Sequence, residues 1–129
     1  MFGPVAESVL SQPVDDGAVA TKAVLRAAER LGVSNRLLAA VIGCSEATVS
    51  RMGSGSYQLS PGDKPFELAV LFLRLFRSLD AIVGGDAAAA RAWLQNDNLV
   101  LNAPPVRLIT SVAGLVTVVG YLDARRALV

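Results

Sequence analysis

Apolar side chains recur every three or four positions along most of this chain, and the residues between the runs are those that start and stop helices. The adjacent acids Asp15 and Asp16 stand where a first helix opens. Val24, Leu25, Ala28 and Leu31 line one face of it over 18–31, and Gly32 stops it. Ser34 caps a second helix that runs to Ile42, Gly43 and Cys44 make a turn, and Ser45 caps a third helix reaching about Met52, with Gly53, Ser54 and Gly55 ending it. A connector rich in Gly, Pro and Ser over 56–63 leads to a long helix over 65–83, where Pro65 suits the first turn. Its apolar positions, among them Phe66, Leu71, Phe72, Leu75, Phe76 and Leu79, form a face broader than one core covers. Gly84 and Gly85 stop that helix, Asp86 caps another through Leu94, and 96–98 is a polar break; the apolar run 99–101 is too short to assign. Asn102 followed by Pro104 and Pro105 marks a further helix start with Val106, Leu108 and Ile109 as its contacts, and a last helix covers 112–128. The β-branched run 116–119 would suit a strand, yet Leu115, Val118, Val119 and Leu122 keep helical spacing and no alternating partner exists elsewhere. The pattern predicts an all-α chain.

The stretch 35–52, NRLLAAVIGCSEATVSRM, is more specific than the rest. Leu38, Ile42, Val49 and Met52 are spaced to share one core, Ala39 is small where two helices would cross closely, and Gly43 sits where the chain must turn. That combination favours a helix-turn-helix over an ordinary helical hairpin, which points to DNA. A recognition helix reads bases with side chains near its N-terminus while its apolar face stays on the preceding helix. Glu46, Ala47, Ser50 and Arg51 are the outward candidates: Arg51 could pair with guanine, Glu46 could accept from a cytosine amino group, and Ala47 could touch a thymine methyl. Ser45 and Thr48 suit phosphates, and at the start of the preceding helix Asn35 with its free amides, helped by Arg36, could hold another. Glu46 also fits as an acid favoured at any helix N-terminus, and Arg51 as a solvated charge.

Composition narrows the function classes. With 129 residues the chain can bury one or two small cores, which excludes a large enzyme. Histidine is absent, so Ser-His-Asp and Cys-His nucleophiles and the usual zinc sets are unavailable; no metal, cofactor or catalytic residue is expected. The single Cys44 cannot form an intramolecular disulfide and reads as core packing. Apolar residues make up 53% and mean hydropathy is +0.49, so some surface should need a partner. The most apolar helix is broken by Glu67, Arg74, Arg77 and Asp80, which argues against a membrane span, and residues 1–12 carry one acid and no base, so a cytoplasmic protein is expected. Net charge is only +1, but Lys22, Arg26, Arg30, Arg36 and Arg51 cluster in or beside the proposed DNA unit, while Asp80, Asp86, Asp97 and Asp123 lie later. So small a surplus of cations predicts that DNA affinity needs a dimer or larger assembly.

In the second half, Ala92-Trp93-Leu94, Asn98-Leu99, Pro105, Leu108-Ile109, Gly114, Val118 and Tyr121-Leu122 resemble the toxin-binding domain of the MbcA/ParS/Xre antitoxins. Placed after a helix-turn-helix, they make the whole chain similar to the Xre antitoxin of a RES-Xre toxin–antitoxin pair. The resemblance implies an oligomeric protein that covers the active site of a cognate RES-domain toxin, a family associated with NAD⁺ breakdown, and whose complex represses its own operon. Family members block the toxin with their C-terminal region, which here offers Tyr121, Asp123, Arg125, Arg126, Leu128 and Val129. Arginines on an apolar last helix could enter a pocket built for an anionic dinucleotide, or simply favour the helix C-terminus. Trp93 reads as core, and Pro105 and Gly114 as residues that shape packing. At Leu101-Asn102 the family more often carries a glycine.

The expected organisation is an arm over 1–16, a DNA-binding domain over 17–62, and a dimerisation and toxin-binding domain over 63–129. A plain helix-turn-helix regulator whose second half dimerises or senses a ligand is the competing reading. A localisation adaptor is a third, since ParS-like domains need not all oppose toxins.

Overall fold

The computed structural model describes residues 15–128. The arm read over 1–16 therefore lies outside the described residues except for Asp15 and Asp16, and so does Val129. Among the described residues there are helices and no strand: α1 (Asp16–Leu31), α2 (Asn35–Ile42), α3 (Glu46–Ser54), α4 (Lys64–Ile82), α5 (Ala87–Gln95), α6 (Pro105–Leu108) and α7 (Val112–Arg126).

Most of these helices start on a side chain that satisfies one of the orphan amides of the first turn. Asp15, Ser34, Ser45, Asp86 and Ser111 accept from the N–H groups of Ala18, Leu37, Thr48, Ala89 and Gly114 respectively. α4 has no such cap and begins instead with a proline in its first turn, where a missing N–H costs nothing. α3 extends past Gly53 to Ser54, two residues beyond the expected end. Its stop is Gly55 in the left-handed region, and the amides of Gly55, Ser56 and Tyr57 take up the carbonyls of Met52 and Arg51. The helix expected from the Pro104-Pro105 start is a single turn, α6, because the chain turns again at Ser111 to begin α7. The β-branched run is helical, with Leu115, Val118, Val119 and Leu122 buried.

α4 is the centre of the packing. Its Phe72, Leu75 and Leu79 are fully buried, and it lies against α1 and α2 on one side and against α7 on the other. One continuous apolar cluster thus runs from Val24 and Ile42 through α4 to Leu94, Ile109 and Leu122. The connector after α3 is pinned rather than loose. Leu59 is buried, its N–H donates to Thr21 Oγ1 at 2.9 Å, and the Gln58 amide donates to the Asp15 carboxylate at 2.8 Å. The Ala18 amide, and after it Gln58, hold the Asp15 carboxyl below the usual aspartate range.

A second tie joins α4 to α7. Ser78, with no exposed surface, donates to Asp123 Oδ1 at 2.7 Å, and Arg74 Nη2 lies 2.6 Å from Asp123 Oδ2. The arginine is mostly solvated and contributes little, but the serine hydroxyl has no water to turn to. Asp123→Ala is expected to cost about 1–3 kcal/mol in a urea titration. Adding Ser78→Ala should recover part of that loss, because the stranded hydroxyl is then gone. Losses that simply add would show that Asp123 does not act through Ser78.

Candidate DNA and partner surfaces

The turn between α2 and α3 brings two short helices onto one core. Leu38, Ala39, Ile42, Val49 and Met52 are all buried, and Ala39 at 4% exposure leaves the close approach that a larger residue would block. Gly43 has φ +76, a conformation costly for residues with a side chain, and its N–H and that of Cys44 both reach the Ala39 carbonyl. Cys44 is half-buried, and burial pushes its thiol pKa up, so it packs more than it reacts.

Opposite that core, Glu46, Ala47, Ser50 and Arg51 are exposed on one face of α3. Thr48 is half-buried at the edge of this face, and its hydroxyl joins two neighbours: Ser45 Oγ at 2.9 Å and Arg51 Nη2, which donates to it at 3.2 Å. Ser45, Thr48 and Arg51 therefore form one short network that restrains the arginine before any ligand arrives. Asn35 and Arg36 are exposed at the start of α2, where Ser34 already takes the Leu37 amide. Lys22 and Arg26 are exposed on α1. Arg30 is not available to the same surface: it donates to the Gly85 carbonyl at 3.0 Å and lies 3.8 Å from Asp80, while Arg91 donates to the Arg30 carbonyl at 3.1 Å. These contacts fasten the end of α1 to the junction between α4 and α5.

The C-terminal candidates divide between two sides of α7. Tyr121 is half-buried and stacks on Trp93 with ring centroids 6.2 Å apart, and the Arg125 guanidinium sits 5.8 Å from the tyrosine ring. Trp93 is partly buried, packed against the core at its edge and stacked on Tyr121. Spacing of four along α7 made the Tyr121–Arg125 pair readable from sequence, whereas the approach of α5 depends on tertiary packing. On the other side, Asp123 is engaged with Arg74 and Ser78, and Arg126 borders a groove of about 440 Å³ with Val19, Phe66, Val70 and Arg77. Leu128 is 85% exposed.

Asn102 carries φ +62, the left-handed conformation in which glycine is easiest and asparagine the best-tolerated alternative. Among the described residues no group of three acidic or cysteine side chains converges as a metal would require, and no helix is long and apolar enough to cross a membrane.

Two family models match in succession. The antitoxin Xre-like helix-turn-helix domain matches residues 12–74, and the antitoxin Xre/MbcA/ParS C-terminal toxin-binding domain matches residues 78–127. They meet within α4, the helix on which both sides of the core pack. Comparison with curated proteins gives no match. The exposed face of α3 falls in the first match and the helices α5 to α7 in the second, and the two matches together show that the chain belongs to the Xre-type antitoxins of toxin–antitoxin systems, with a helix-turn-helix domain and a toxin-binding domain.

Proposed function

We propose that the chain neutralises a RES-domain, NAD-degrading toxin by covering its active site, and that it represses its own operon through the helix-turn-helix. The order of the two matched segments carries the reading, because the pairing of an Xre-like helix-turn-helix with this C-terminal domain is what makes the chain resemble the antitoxin of a RES-Xre pair. It acts by binding, in the cytoplasm where its operator lies, and needs no cofactor. Glu46, Ala47, Ser50 and Arg51 meet base edges, while Asn35, Arg36, Ser45 and Thr48 meet phosphates and set register. Toward the toxin, Arg125 and Arg126 supply positive charge for a site that takes an anionic dinucleotide, and Tyr121, Leu128 and Val129 are the further contact residues of the proposal. Asp123 serves by holding α7 in place.

Self-association accompanies this role. Val19, Val70, Val112 and Val116 are each about half exposed, and Phe66, Val70 and Val112 line a largely apolar groove of about 420 Å³. Covering that surface with a second copy would present two recognition helices to DNA. The division into a DNA unit over 17–62 and a partner-binding unit over 63–129 belongs to the same proposal.

Co-expression with the product of the adjacent reading frame tests it. The full chain should keep cellular NAD⁺ at its normal level, and deletion of 125–129 should let NAD⁺ collapse while operator binding persists. A neighbour that leaves NAD⁺ untouched, or full protection by the truncated chain, would refute the proposal.

A further inference from the structure

We infer that the loop tip formed by Leu99 and Val100 is a toxin contact, inserting into an aliphatic recess on the toxin; the inference rests on the chain being an antitoxin and not on the class of toxin. Leu99 is 94% exposed, more than any other large apolar residue among those described, and Val100 is 69% exposed. Their exposure is built in. Asn98 Oδ1 accepts from the amides of both Val100 and Leu101 at 3.0 Å, the Asn98 carbonyl accepts from Asn102 at 2.8 Å, and Leu101 packs against the core. A loop closed in this way shows the same two side chains before and after binding, which lowers the ordering cost of association.

The position of the tip identifies its occupant. It lies inside the segment matched by the toxin-binding domain. The other exposed large apolar residues of that segment, Val112 and Val116, are four apart on α7, and Val112 lines the groove proposed for a second copy. DNA is a poor fit, since residues 96–103 carry Asp97 and no lysine or arginine. Exposed Asn96 and Asp97 supply the polar edge that surrounds an apolar anchor in a protein interface.

The test uses the full chain carrying Leu99→Ser and Val100→Ser together, titrated against the purified product of the adjacent reading frame. Toxin affinity should fall at least tenfold, with the thermal midpoint, oligomeric mass and operator binding unchanged. Leu99→Met alone should keep wild-type affinity. Unchanged toxin affinity in the double variant overturns the inference, as does a fall in oligomeric mass, which would assign the tip to a second copy. A wild-type chain that binds a toxin of another class removes the RES reading and leaves the tip to be judged on that toxin. A wild-type chain that binds no toxin overturns both.

Discussion

Gly114→Ala is expected to destabilise the protein by about 3 kcal/mol, the upper end of what an overpacked core position costs. A Cβ at this position would be driven into the carbonyl oxygen and carbon of Leu108, with the Ser111 hydroxyl close by. The Leu108 atoms are backbone at the end of α6 and cannot swing aside as the end of a flexible side chain would, and the Ser111 hydroxyl is held by the Gly114 amide that it caps. Relief requires α7 to move off α6, which pulls Leu115 and Val118 out of the core they share with α4. Gly120 supplies the contrast, because it lies on the same helix, is exposed, and would meet nothing within 4 Å. Gly120→Ala should stabilise by about 0.5–1 kcal/mol through helix propensity alone. Two urea titrations decide the matter: midpoints that shift in opposite directions support the close approach at Gly114, and a shared direction refutes it.

That pair of glycines also marks how far sequence alone could reach. Both sit in a helical pattern, and the spacing of Leu115, Val118, Val119 and Leu122 was enough to place them on one helix. What separates them is the position of the Leu108 carbonyl, six residues before Gly114 at the end of the one-turn helix, and no periodicity encodes that. The caps were legible for the opposite reason: Asp15, Ser34, Ser45 and Asp86 bond to amides three residues on, within the reach of local pattern. Likewise the turn at Gly43 and the outward set on α3 follow from a short segment folding on itself. The two-sided division of the C-terminal candidates was not legible. Asp123 and Arg125 are both charged and only two positions apart, yet one is held by Ser78 and Arg74 of α4 and the other lies on Tyr121 and through it beside Trp93 of α5. Charge held by another helix and charge held within its own helix look alike in a sequence, and Arg30 makes the same point.

On the DNA side, Arg51→Ala is expected to remove most of the preference for operator over random DNA, a loss of about ten- to a hundredfold in the ratio of the two affinities, as the removal of one guanine-pairing arginine would cause. The restraint on Arg51 is the reason to single it out. Its guanidinium donates to Thr48, whose hydroxyl is in turn linked to the capping Ser45, so the exposed side chain leans toward the N-terminal end of α3. A phosphate contact would behave differently. Arg36→Ala should weaken operator and random DNA by similar factors and leave their ratio intact, since a backbone contact carries no sequence information. With a net charge of only +1, nonspecific attraction is too weak to mask either outcome, provided both titrations are run at one salt concentration. Thr48→Val is the finer probe: it keeps the arginine but takes away its anchor, and should reduce discrimination by less than Arg51→Ala does. A ratio unchanged by Arg51→Ala would show that α3 reads its operator through Glu46, Ala47 or the shape of the groove, and that the arginine is a solvated charge.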